Sequence, residues 1–260
     1  SDDAIVCSSP LLSSWRAGGE SVAAVSLEVS LNSQAYTSTG NASGLAYDYF
    51  APCVVSSVSP SLGPRDGGTS VTISGVGLNG TGSDVLCRFG DQTTAAAFSS
   101  SAGGMVCSAA SASSAFGASD GGGVGVASLE VSLNGQQFGP SSVSYGYYPG
   151  LRVSSVTPAA GPEGGGTMVQ VRGRGLSGGV GSGPHYVCRF GSVLSAAALG
   201  TDASGDGYLT CTTPAQNASS LALEVTLNGQ DYTSDGVPFR WMPPISLSGP
   251  APSSSAPATP

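Results

Sequence analysis

Lysine is absent from the 260-residue chain and histidine occurs once, so its eight basic residues are all arginine. No lysine amine is available for a Schiff base or as a tuned base. The lone His185 precedes Tyr186-Val-Cys188 in a loop and reads as a surface residue, which leaves little for acid–base catalysis. Sixteen acidic residues give a net charge of −8 and a pI near 4.3. Arg65, Arg88, Arg152, Arg172, Arg174, Arg189 and Arg240 are scattered along the chain, whereas nucleic acid is bound by a basic stripe that releases counterions. That partner class is therefore excluded. Only Arg172 and Arg174 cluster, and at i, i+2 they read as one solvated strand face. No apolar run approaches the ~20 residues of a membrane span. Helical i, i+3, i+4, i+7 spacing is missing too, and 40 glycines with 17 prolines interrupt any long helix. Charged residues make up only 9% of the chain, so solubility leans on Ser, Thr, Gly and attached sugar.

What the chain does contain is repetition. Ser-Leu-Glu-Val-Ser-Leu-Asn occurs at Ser26 to Asn32 and at Ser128 to Asn134, with a near copy from Ala222 to Asn228. Val58-Ser-Pro60, Gly63-Pro64 and Gly67-Gly68-Thr69 return 98 residues later as Val156-Thr-Pro158, Gly161-Pro162 and Gly165-Gly166-Thr167. Cys87-Arg-Phe-Gly90 returns as Cys188-Arg-Phe-Gly191, and Met105-Val-Cys107 as Leu209-Thr-Cys211. Self-similarity of this kind marks one folding unit copied in tandem. Two whole modules are expected at 54–149 and 150–242, followed by a tail at 243–260. Residues 1–53 match only the second half of a module: Ile5-Val-Cys7 aligns with the later cysteine, then come the Leu-Glu-Val strand and Leu45 to Phe50.

Within each module apolar residues alternate, as Leu27, Val29 and Leu31 do against Ser26, Glu28 and Ser30, which predicts half-buried strands. The expected fold class is all-β, with each whole module an immunoglobulin-like sandwich of two antiparallel sheets. The pattern Val-x-Pro-x-x-Gly-Pro-x-x-Gly-Gly-Thr, running on to Leu78 and again to Leu176, resembles the opening of an IPT/TIG domain. The later Cys-Arg-Phe-Gly and the cysteine that follows resemble that family as well. Leu78 and Leu176 stand where the family often has Phe, and the loop from Ala109 to Gly125 is long. The resemblance implies an immunoglobulin-like fold found in receptor ectodomains, extracellular arrays, some transcription factors and some carbohydrate-active enzymes. Fold alone does not choose among them.

Two of the six cysteines fall at equivalent strand positions in each whole module, suggesting disulfides Cys87–Cys107 and Cys188–Cys211, with paired buried thiols as the alternative. Disulfides need an oxidising compartment, and each would add about 3 kcal/mol in the chain-entropy model. Cys7 and Cys53 remain, and either bond each other or reach a neighbouring chain. Sequons at Asn41, Asn79 and Asn217 are candidate N-glycosylation sites, Asn217 the best placed of them, at a strand exit. Asp202-Ala-Ser204-Gly-Asp206-Gly207 copies half a calcium loop, but Thr213 stands where the bidentate Glu is required, so it reads as a turn. No catalytic, cofactor-binding or metal-binding residue is assigned, and Asp2-Asp3 or Asp202 with Asp206 lack an opposing carboxylate across a cleft.

Six prolines fall in the tail from Pro243 to Pro260, predicting extended polyproline II and resembling O-glycosylated stalks. Ile245-Ser-Leu-Ser248 alternates as a donated strand would, which makes Ile245 and Leu247 candidate assembly residues. Ser1 begins mid-module, which fits either a processed chain or a section of a longer array. Short proline-containing joints, Tyr49 to Cys53 and Tyr147 to Leu151, predict a stiff rod. The expected function is therefore a non-enzymatic, secreted structural glycoprotein that self-associates head to tail into a surface or matrix fibre. A receptor or adhesin ectodomain binding a protein or carbohydrate is the alternative, which exposed aromatics in a shared groove would favour, but Trp15 and Trp241 read as packing residues.

Overall fold

The computed structural model describes residues 4–10, 23–37, 45–78, 84–112, 125–176 and 185–245. Every regular element of any length among them is a strand, as the alternating pattern predicts, and none is an α-helix. The half-module contributes β1 (Ala23–Ser26) and β2 (Ala46–Tyr49). The first whole module holds β3 (Val54–Ser59), β4 (Leu62–Pro64), β5 (Ser70–Val76), β6 (Leu86–Phe89), β7 (Gln92–Ser99), β8 (Gly104–Ser108), β9 (Gly125–Ser132) and β10 (Ser144–Tyr148). The second repeats them as β11 (Arg152–Thr157), β12 (Ala160–Pro162), β13 (Met168–Arg174), β14 (Val187–Phe190), β15 (Val193–Thr201), β16 (Gly207–Thr212), β17 (Ser219–Thr226) and β18 (Val237–Met242).

Strand order is the same in both whole modules, β3-β5-β8-β7-β6-β9-β10-β4 and its counterpart in the second. One long strand joins the two layers: β7 pairs with β6 through Gln92 to Ala95 and with β8 through Ala96 to Ser99. Alternate residues of β5, β6, β8, β9 and β10 point inward, so Val71, Ile73, Phe89, Met105, Leu129, Val131 and Tyr145 fill one core between the layers. Cys87–Cys107 crosses that core, and Cys188–Cys211 crosses the second. Aromatic rings close each core edge to face, Phe89 against Tyr145 against Tyr147 in the first and Phe190 with Phe239 and Trp241 in the second.

The repeated glycines have local causes. Gly67 and Gly165 adopt φ of +76° and +70°, and a Cβ there would stand 2.7 Å from the Ala109 carbonyl oxygen and 2.6 Å from the Ala215 nitrogen. Gly63 and Gly161 make room for a neighbouring Thr69 and Thr167 hydroxyl that a Cβ would meet at 2.4 and 2.5 Å. The spacing Gly-Pro-x-x-Gly-Gly-Thr is thus a folding requirement of the corner between β4 and β5.

Cys53 differs from the sequence reading. Rather than lying at the junction, it is buried in the core of the first whole module, and its thiol donates to the Val131 carbonyl at 3.4 Å. Burial pushes the Cys53 thiol pKa up, which keeps it protonated and unreactive. Cys7 is exposed and unpaired, so the two do not bond each other in this structure.

Candidate assembly interface

The first whole module ends inside the second. Tyr148, the last residue of β10, is 1% exposed and belongs to the second module's core, and Leu62 of β4 packs against that core as well. Opposite them sits the loop after β17, whose shape is set by one side chain. The Asn228 Oδ1 accepts from the backbone N–H groups of Gln230 and Asp231 at 3.0 and 2.9 Å, folding the loop back on itself. The same loop then reaches across. Asn228 Nδ2 donates to the Leu62 carbonyl at 3.3 Å, Gln230 Nε2 to the Ser70 carbonyl at 3.0 Å, and the Thr69 hydroxyl to Asp231 Oδ2 at 2.7 Å. Thr69 is buried as a result. Burial, reinforced by the Asp231 carboxylate, raises the Tyr148 pKa, and burial likewise lifts that of Tyr145 to about 12. Both tyrosines remain neutral and un-ionised at any physiological pH.

A second tie, within the second whole module, fixes the start of β11 just after the linker. Asp235 accepts from the Val153 backbone N–H at 2.6 Å and from Arg152 at 3.1 Å, and these partners, the backbone donor first, hold its pKa below the usual carboxylate range.

Three loops share the Asn228 design. Asn32 Oδ1 accepts from Gln34 and Ala35, and Asn134 Oδ1 from Gln136 and Gln137, at 2.8 to 3.1 Å. The Asn228 loop is docked, and the Asn32 loop is exposed. The Asn134 loop faces the half-module across a cavity of about 310 Å³, lined by Tyr47, Asp48, Tyr49, Phe50, Phe138 and Gln137 among others.

A further recurring unit involves the Glu of the repeated heptapeptide. Glu130 on β9 receives Arg88 from β6, and Glu224 on β17 receives Arg189 from β14. In each case the guanidinium also lies over an aromatic ring, Phe138 at 3.9 Å and Tyr232 at 4.0 Å.

Other residues singled out from the sequence are placed as follows. Asn217 is exposed, while Asn41, Asn79 and Leu247 lie outside the described residues. Ile245 is exposed and outside any strand. His185 is exposed. Asp202 Oδ1 accepts from Ser204 and Asp206 to make a turn, and the Arg172 hydrogen bond lowers its pKa first among several donors. Arg172 is thus engaged with Asp202, not simply solvated. Among the described residues no group of three or more His, Cys, Asp or Glu is placed to hold a metal. Trp241 is a packing residue whose indole donates to the Pro214 carbonyl at 3.0 Å. Sequence reasoning passed over Asn228, Gln230, Asp231, Thr69 and Tyr148. The threefold Asn at the end of the heptapeptide was the signal for them.

The IPT/TIG domain family model matches residues 53–147 and 151–240. This chain belongs to the IPT/TIG domain family. The matched segments are the two sandwiches just described, and the Asn228 loop and Tyr148 lie at the joint between consecutive IPT/TIG domains. No curated protein matches the chain. Among solved structures it is similar to the plexin A4 full extracellular region, at 21% identity over 74% of this chain with a TM-score of 0.46. The chain spans 16% of that region's length. It is also similar to FdeC, an Escherichia coli adhesin (14% identity, 73% of this chain and 63% of that one, TM-score 0.28). A third is invasin, a bacterial integrin-binding protein (13% identity, 78% and 44% coverage, TM-score 0.24). Likeness at this level carries no functional argument for these IPT/TIG domains.

Proposed function

We propose that this chain is part of a non-enzymatic extracellular rod of IPT/TIG modules that assembles head to tail into a surface or matrix fibre. The interlocked junction carries the reading: a strand end buried in the next core, and a preshaped loop hydrogen-bonded back across the joint, resist bending in a way a flexible linker does not. The disulfides favour an oxidising space outside the cell. Assembly is favoured by a copy of the same surface at the far end of the second whole module that no described residue covers. Met242, the counterpart of the buried Tyr148, is 40% exposed, and Thr167, the counterpart of the buried Thr69, is only half-buried. The exposed Asn32 loop of another chain is the complement, and a heterologous contact of this sort propagates. Sugar on Asn217, and O-linked sugar on the tail, would supply the solubility that few charges provide.

Electron microscopy of the purified chain tests this reading. Ordered filaments lost in Met242→Asp support it, and dispersed monomers at high concentration defeat it. Intact mass before and after glycosidase treatment tests the glycans, with an unchanged mass at Asn217 counting against them. The aromatic cavity beside Tyr47 and Phe50 favours a second reading, a ligand-binding ectodomain. Saturable sugar binding by monomeric protein, lost in Tyr47→Ala, would replace the fibre with that function.

A further inference from the structure

Of the turns built on an asparagine oxygen, two continue with glycine, Asn134-Gly135 and Asn228-Gly229, and the other with serine, Asn32-Ser33. A further Asn-Gly pair, Asn79-Gly80, lies outside the described residues. Asparagine before glycine is the arrangement in which a side-chain amide is lost most readily, because no Cβ on the second residue hinders its backbone nitrogen from closing on the asparagine Cγ. The turn brings the reacting groups together. Gly135 and Gly229 adopt φ of +74° and +77°. Oδ1 of each asparagine accepts from the N–H groups two and three residues on, which closes a ring around the glycine nitrogen and polarises the amide carbonyl. Ser33 takes φ of +61° with a side chain in place, so the Asn32 turn is the slow member of the set.

The two Asn-Gly turns share this chemistry and differ in what surrounds it. Asn134 is half-buried, and its Nδ2 donates within its own loop, to Gln137 Oε1. Asn228 is 3% exposed. Its Nδ2, the group that would have to leave, donates across the joint to Leu62 O at 3.3 Å and to Asp231 Oδ2 at 2.6 Å, and Asp231 accepts in turn from the Thr69 hydroxyl at 2.7 Å. The nitrogen that would attack is engaged as well, since Gly229 N donates to Oγ1 of the buried Thr226 at 3.1 Å. The bonds that reach Asn228 and Asp231 from outside their own module, those of Leu62 and Thr69, come from the first whole module. Docking therefore holds the amide in place, and undocking releases it.

We infer that Asn228-Gly229 is a deamidation site guarded by the junction, so that separation of the two modules is recorded and made permanent in the covalent chain. When the loop undocks in a local opening, Gly229 N bonds to Asn228 Cγ, the Cγ–Nδ2 bond breaks, and the Gly229 proton leaves with that nitrogen as ammonia. Water then opens the succinimide at one or other of its carbonyls, leaving aspartate or isoaspartate at position 228. Both products bar redocking. Aspartate puts an oxygen where the donor to Leu62 O stood and sets a second carboxylate against Asp231, so attraction at that contact becomes repulsion. Isoaspartate lengthens the backbone by one carbon and shortens the side chain, which breaks the turn that Gln230 N and Asp231 N complete. The step consumes only water and needs no filament, so the absence of filaments leaves it standing.

The test stores the 260-residue chain in mildly alkaline buffer and follows each asparagine by mass spectrometry of proteolytic peptides, with isoaspartate resolved by chromatography. Asn134 is expected to convert first and Asn228 roughly tenfold more slowly, as a loop undocked for about a tenth of the time requires. Thr69→Val removes the hydroxyl bound to Asp231 and leaves the turn intact, so it should raise the Asn228 rate several-fold and leave Asn134 unchanged. Tyr148→Ala should raise it further, and Thr69→Val decides alone if that variant does not fold. An Asn228→Asp chain, standing for the product, should exchange its Gln230 and Asp231 backbone hydrogens faster than wild type, whereas Asn134→Asp leaves those two amides as they are. Equal rates at Asn134 and Asn228 would mean that docking gives no protection, and conversion at neither would mean that the turn itself blocks the attack; each overturns the proposal. So would a Thr69→Val chain in which Asn228 stays as slow as in wild type, or an Asn228→Asp chain that exchanges like wild type.

Discussion

Replacing Asn228 by Ala removes one side chain that both shapes a loop and holds two modules together. Its amide donates to Leu62 O across the junction at 3.3 Å and to Asp231 Oδ2 at 2.6 Å, and its Oδ1 accepts from Gln230 N, Asp231 N and Thr226 Oγ1 at 2.9 to 3.0 Å. Buried hydrogen bonds contribute about 0.5–1.5 kcal/mol each, with the upper end reached where a partner is left unsatisfied. Discounting those that open to water, the loss is about 2–3 kcal/mol, which lowers the urea midpoint of the second module by roughly 1–2 M. The Asn32→Ala variant is the internal control, since Asn32 makes the same turn in full exposure and water can replace it. Its cost should stay below about 0.5 kcal/mol. Urea titrations followed by near-ultraviolet circular dichroism and by Trp241 fluorescence measure both variants. Equal shifts would mean that the turn matters and the junction does not, and the junction argument would be refuted.

Three further outcomes follow from the same structure. The Asp235 carboxylate has a depressed pKa, so its contribution is present above the ordinary carboxylate range, near pH 4, and is lost as pH falls through the lower folded value. The stability gap between wild type and Asp235→Asn should therefore close on acidification from pH 7 towards pH 2, and a gap independent of pH would remove the assignment. Changing Cys188 and Cys211 together to Ser should cost the second module about 3 kcal/mol for a loop closed over 23 residues, read as a fall in thermal midpoint. Tyr148 places a buried hydroxyl with no hydrogen-bond partner at the junction, so Tyr148→Phe should leave stability unchanged or raise it, whereas Tyr148→Ala should cost about 3–5 kcal/mol by denaturant unfolding.

Much of the fold was legible because alternation and repetition are local properties of sequence. Leu27, Val29 and Leu31 announce a strand wherever it ends up, and the matched spacings from Val58 and Val156 announce the same corner twice. The disulfide pairs could be read for the same reason, since equivalent cysteines in two modules must face the same partner. The junction could not be read that way. Nothing local separates Tyr148, buried in the following core, from Met242, left in the open at the equivalent position, because the difference is only whether another module follows closely. Cys53 illustrates the opposite error. Its place beside Pro52 suggested a linker, yet strand β3 begins at Val54 and draws the preceding residue into the core. The ion pairs Arg88–Glu130 and Arg189–Glu224 were available in principle, because the Arg of one repeated motif and the Glu of another recur together in both whole modules.

The placement of β4 has a mechanical consequence. It runs parallel to β10, with Gly146, Tyr147 and Tyr148 opposite Leu62, Gly63 and Pro64, and β12 and β18 repeat the arrangement. A pull on the two ends of a module therefore slides these strands lengthwise past each other, and the hydrogen bonds between them are loaded together instead of parting one at a time. Forced opening is governed by the unfolding rate, and a patch that must yield all at once sets a high barrier. Both whole modules would carry tension between their ends through the same short clamp.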